Sequence, residues 1–116
     1  MSNMLISDLQ IIEACRVILA AVEHHQTERR ERRFLNAYQI WLLLESGNLM
    51  FCQQLEQVYG FAKGKGGGNN VGPIQRIAQA LGRCSDVETQ YMDTRYIMVG
   101  ELKPSGEDCG LFRLRY

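Results

Sequence analysis

The chain has no excess of either charge: 13 Lys and Arg face 13 Asp and Glu across 116 residues. Attraction of the whole molecule to a polyanion is therefore not expected, and any binding of nucleic acid or anionic lipid has to come from a local patch. The four cysteines, Cys15, Cys52, Cys84 and Cys109, include no Cys-x-x-Cys pair. That argues against a zinc knuckle and a thioredoxin-like redox site. No apolar run reaches membrane-spanning length. The opening stretch MSNMLISDLQIIEACR holds acids where a secretory leader needs a basic start. These absences predict a cytoplasmic chain with reduced cysteines and no membrane partner.

Catalytic patterns are also missing. There is no strand followed by Gly-x-Ser-x-Gly, and no cysteine with a persuasive histidine partner. Glu107 and Asp108 are adjacent carboxylates in a turn-rich stretch, which does not readily supply the contrasting environments an acid/base pair needs. His24 and His25 fall near the end of a helical pattern, where a cation favours the helix dipole. The run Gly64-Lys65-Gly66-Gly67-Gly68 fails the dinucleotide fingerprint, because Asn69 follows, and fails the P-loop pattern, because no Gly-Lys-Ser/Thr closes it. The expectation is no enzyme, no catalytic residue, no metal and no cofactor.

What is present is an ordinary globular composition, 46% hydrophobic and 22% charged, with length for one domain over residues 1–116. Charge is unevenly distributed. Gly60–Arg83, GFAKGKGGGNNVGPIQRIAQALGR, holds Lys63, Lys65, Arg76 and Arg83 and no carboxylate, while both ends of the chain are net acidic. A basic glycine-rich loop running into a basic helix is a pattern for a surface facing nucleic acid. Backbone amides at the start of that helix could hold one phosphate, or the loop could be a connector only.

The spacing predicts an N-terminal helix within residues 1–27, starting after the N-cap Ser7. Leu9, Ile12, Arg16 and Leu19 follow one helical spacing; Ile11, Cys15, Ile18 and Val22 follow the next. A stripe this wide serves either a core or a homodimer interface, for which Leu9, Ile12 and Leu19 are the candidates. A second helix is expected from the N-cap Thr27 through ERRERR to Gly47, burying Phe34, Tyr38, Trp41, Leu42 and Leu44, with Glu28 paired to Arg32. A third runs from about Leu49 to Tyr59, between the N-cap Asn48 and Gly60. A fourth runs from Pro73 to Leu81, facing inward through Ile74, Ile77, Ala78 and Leu81, with Gln75, Arg76, Gln79 and Arg83 outside. After Ser85 the pattern turns β-rich: VETQYMDTRYIMVGELK and the alternating LFRLRY flank the turn-rich KPSGEDCG, which reads as an antiparallel hairpin.

Three helices followed by a hairpin, over residues 34–116, resemble the winged helix-turn-helix superfamily, here with an extra N-terminal helix and an α+β fold. AYQIWLLLESG resembles the first helix of that family, MFCQQLEQVYG the second and VGPIQRIAQALGR the third, with Pro104–Gly110 as the wing. The resemblance implies duplex DNA as partner and a role in transcription regulation, with the third helix in the major groove. It makes Gln75, Arg76, Gln79 and Arg83 the candidate contacts, beside Lys63 and Lys65 of the loop, since Gln suits adenine and Arg suits guanine or phosphate. Two features depart from the family pattern: Phe61–Gly72 is longer than its tight turn, and Glu107 and Asp108 place acids at the wing tip. They leave a protein-interaction module, an inhibitor or adaptor on the same fold, as the alternative.

Overall fold

The computed structural model describes residues 6–22, 32–60, 72–93 and 108–115. Lys63, Lys65, the His24–His25 pair, Thr27, Glu28 and the wing residues up to Glu107 lie outside them. Four helices and a three-stranded antiparallel sheet make up the described fold: α1 (Asp8–Ala21), β1 (Leu35–Asn36), α2 (Ala37–Gly47), α3 (Leu49–Tyr59), α4 (Pro73–Gly82), β2 (Val87–Asp93) and β3 (Asp108–Leu114). This is the α+β layout expected from the sequence, with the helices ahead of a C-terminal hairpin.

Each helix start has a local chemical cause. Ser7 and Gln10 form a capping box: the Gln10 amide donates to Ser7 Oγ at 3.2 Å, and the Ser7 amide donates to Gln10 Oε1 at 2.9 Å. Asn36 and Gln39 repeat the device at α2, with bonds of 2.8 and 2.9 Å. Asn48 ends α2 and opens α3, so the two helices meet at a one-residue corner. Gly60 closes α3 at φ 92° and ψ 177°, a backbone region reserved in practice for glycine. Gly72 caps α4 without a side-chain bond, and Pro73 at the first helical position needs no amide partner.

The predicted second helix starts too early in the sequence reading. Among the described residues the helix begins at Ala37, and Leu35 and Asn36 just before it form β1. Arg32 is therefore not on a solvated first turn. Its Nη1 donates to the carbonyls of Ala20 at 2.7 Å and Val22 at 2.9 Å, at the C-terminal end of α1.

β3 is the central strand, in the order β1-β3-β2. Leu35 pairs with Phe112 on one side of it, and Thr89 pairs with Phe112 on the other. One face of β3 is buried as expected, through Phe112 and Leu114, while Leu111 and Arg113 on the other face are half-buried and Arg115, just past the strand, is exposed; Tyr116 lies outside the described residues. The core forms where this sheet face meets the helices. Ile11, Cys15 and Leu19 of α1, Ile40, Trp41 and Leu44 of α2, Cys52 and Leu55 of α3, and Ile74, Ile77 and Leu81 of α4 fill it with Phe112. Burial of these side chains, at roughly 25 cal/mol per Å² of apolar surface, is the main term holding helices to sheet. No helix among the described residues is long and apolar enough to cross a membrane.

Leu19 is one of these core residues, so it does not belong to an outer interface as the sequence reading expected. Ile12 is partly buried and packs against the core. Leu9, 64% exposed, stands on the outer side of α1 with Val17, which is 73% exposed.

Candidate functional site

α4 is amphipathic along its length. Pro73, Ile74, Ile77, Ala80 and Leu81 face the core, and Gln75, Gln79, Gly82 and Arg83 face out. Gln75, Gln79 and Arg83 recur every fourth residue, which aligns them in one slanting row on the helix. At 1.5 Å per residue the row is about 12 Å long. Arg83 itself is the helical C-cap residue, at φ −94° and ψ −4°, and continues the row.

Arg76 behaves differently from its expected role. Its side chain is 13% exposed, and all three guanidinium nitrogens are engaged. Nε donates to Tyr59 Oη at 3.1 Å, Nη2 to the Ile6 carbonyl at 2.9 Å, and Nη1 lies 2.6 Å from Asp8 Oδ1. The Tyr59 hydroxyl also reaches the Ile6 carbonyl, at 3.4 Å. Arg76 thus joins the approach to α1, the last residue of α3 and the first turns of α4. The sequence did carry a signal for this: Arg76 lies three residues after buried Pro73 and four before buried Ala80, at the edge of the buried face. Its partners Tyr59, Asp8 and Ile6, 17, 68 and 70 positions away in the chain, leave none.

Asp8 is the shared anion. Its Oδ1 faces Arg76 and its Oδ2 lies 3.2 Å from Nη1 of Arg83, whose side chain is 65% exposed. The hydrogen bond from Arg76 is the foremost reason its carboxyl is held below the ordinary range; the bond from Arg83 and the charge of both guanidiniums add to it, against a contrary push from desolvation. Two guanidiniums against one carboxylate leave the cluster with one net positive charge.

Other described cations also have structural partners. Arg16 pairs with Asp86 at 3.2 Å, Arg113 with Glu88 at 2.9 Å, and Arg115 donates to the Ser85 carbonyl at 2.8 Å. The structure therefore brings Gln75, Gln79 and Arg83 together on one outward row and removes Arg76 from it. Among the described residues no group of three or more His, Cys, Asp or Glu is placed to hold a metal ion. In comparisons with known proteins, no family model, no curated protein and no solved structure matches this chain.

Proposed function

We propose that this protein binds duplex DNA, with α4 as the reading helix, and acts as a cytoplasmic transcriptional regulator of winged-helix type. The observation that carries the proposal is the uncovered row of Gln75, Gln79 and Arg83 on α4. A major groove about 12 Å wide admits one helix; the Gln75 and Gln79 amides match the edge of adenine, and the Arg83 guanidinium at the end of the row suits a backbone phosphate. The helix is supported from behind, since α4 packs on α1, α2, α3 and the hairpin strands. Lys63 and Lys65, in the segment leading into α4, are proposed to add phosphate contacts. A homodimer joined through the outer side of α1, at Leu9 and Val17, is the companion proposal.

The test is a titration of duplex DNA at two salt concentrations. Arg83→Ala should weaken binding to all sequences and flatten the salt dependence by about one unit of slope, the share of one phosphate contact. Gln75→Ala with Gln79→Ala should change preference among sequences more than affinity. Absence of wild-type binding to a mixed-sequence pool at low salt would reject the proposal.

The second reading is a protein-interaction module. Two observations favour it: Asp8 neutralises part of the positive charge beside α4, and Leu43, Leu49 and Met50 are exposed around the α2–α3 corner. It takes the lead if the DNA titration fails.

A further inference from the structure

The two arginines on Asp8 are not equivalent. Arg76 is largely buried, and each of its nitrogens has a protein partner. Moving it would strand a mostly desolvated charge and leave the Ile6 carbonyl with only the longer bond from Tyr59. Arg83 is 65% exposed and meets Asp8 through one nitrogen at 3.2 Å. An exposed ion pair of this kind contributes little and exchanges readily with another anion. A phosphate offers more acceptor oxygens and more charge than a carboxylate. If Arg83 leaves, Asp8 is still balanced by Arg76 through its other oxygen.

We propose that Asp8 is a specificity-determining residue of the α4 surface, a built-in counter-ion that holds Arg83 until a nucleic-acid phosphate displaces it. This inference rests on the DNA reading above. Asp8 lowers the net charge beside α4 without touching Gln75 or Gln79. Its carboxylate therefore disfavours the attraction common to every DNA sequence, while the amide contacts that distinguish bases remain. Arg76 is the fixed member that keeps Asp8 in place.

The experiment compares wild type, Asp8→Asn, Arg83→Ala and the double variant on a mixed-sequence duplex across a salt series, with circular dichroism as the check on folding. Asp8→Asn should bind more tightly, on the order of tenfold at low salt, and steepen the slope of log affinity against log salt by about one unit. That gain should vanish when Arg83 is also removed. Unchanged binding by Asp8→Asn, or a gain that survives loss of Arg83, overturns the inference. A second measurement uses wild-type protein alone: inorganic pyrophosphate is titrated while the Nε–H resonances of Arg76 and Arg83 are followed by NMR. Movement of Arg83 with Arg76 stationary supports the exchange, and movement of neither or of both together overturns it. This second arm decides the matter if Asp8→Asn does not fold. If no variant binds duplex DNA, the DNA reading falls, and the pyrophosphate result still decides whether Arg83 exchanges its anion.

Discussion

The guanidinium carbon of Arg113 lies 4.2 Å from the centroid of the Phe34 ring. Strand register explains how the arginine is aimed, because Arg113 of β3 stands directly opposite Glu88 of β2. Nε and Nη2 both reach Glu88 Oε1, at 3.1 and 2.9 Å, and Nη1 donates to the Arg32 carbonyl at 3.1 Å. One side chain therefore fastens Arg32 and Phe34, just before β1, to the middle of the sheet. Lysine keeps the charge but has neither the fork nor the flat face. Arg113→Lys should cost about 1 kcal/mol, and Arg113→Ala about 1–3 kcal/mol, from the lost stacking and the unsatisfied Arg32 carbonyl. Urea unfolding monitored through Trp41 would measure both. Equal stability of all three proteins would show that the stacking does not fasten the segment.

Asp8 gives the fold an acid-sensitive component. Its carboxyl titrates below its ordinary value of 3.8 when folded, chiefly because Arg76 donates to it. The unfolded chain then binds the proton more readily than the folded one. The stabilisation is present in full above the unfolded value and is lost as pH falls through the lower folded value. Asp8→Asn should be less stable than wild type at pH 6, and the gap should narrow below pH 3.8, the unfolded value. Denaturant midpoints at pH 6 and pH 3 test this. A gap that stays constant with pH would mean that the charge on Asp8 contributes nothing.

Most helix boundaries were legible because their causes are local. Ser7 before α1, Asn48 and Gly60 around α3, and Pro73 at α4 are signals written within a few residues of where they act. The β-rich alternation after Ser85 likewise shows the hairpin, but Asp108, Cys109 and Gly110, which read as wing because of their turn-forming composition, belong to β3 and pair with Asp93, Met92 and Tyr91. The start of α2 is less legible, because ERRERR has helix-forming composition although the capping box of Asn36 and Gln39 is what opens the helix. β1, only two residues long, has no alternation to detect and forms because β3 offers it an edge. On α4 the exposed row follows from four-residue spacing. The loss of Arg76 to the interior depends on Asp8, Tyr59 and the Ile6 carbonyl, which only the fold brings together. The place of Leu19 is hidden for a related reason: a broad apolar helix does not say which of its sides the core takes.

The cysteines should divide by burial. Cys15 and Cys52 are in the core, where desolvation pushes both thiols up to about 12; Cys109 is also raised by burial. Cys84 is only partly buried. Thiolate is the reactive form, so alkylation by iodoacetamide at pH 8 should modify Cys84 first and leave Cys15 and Cys52 protected until the protein unfolds. Mass spectrometry of peptides after timed alkylation reads the order directly. Modification of Cys15 or Cys52 as fast as Cys84 in native buffer would contradict the packing of α1 against the rest of the core.

Gly110 is required by the ring beside it. It lies two residues before Phe112 on β3, on the same face of the strand, opposite Tyr91. A methyl group at this position would stand 2.8 Å from Cζ of Phe112 and 3.2 Å from Cε2. The Phe112 ring is buried to 2% exposure within the helix–sheet core, so it cannot move away without disturbing that packing. Gly110→Ala should therefore destabilise the protein by about 1–3 kcal/mol, the usual range for an overpacked core. The cause can be isolated by shortening the obstacle. Phe112→Leu alone should cost stability by leaving a void, but in its presence Gly110→Ala should be tolerated, because the atoms that collide are gone. Thermal or urea unfolding of the wild type, the two single variants and the double variant completes the cycle. A double variant markedly more stable than the sum of the single losses supports the steric account. Additivity within about 0.5 kcal/mol would place the cost of Gly110→Ala in the backbone instead.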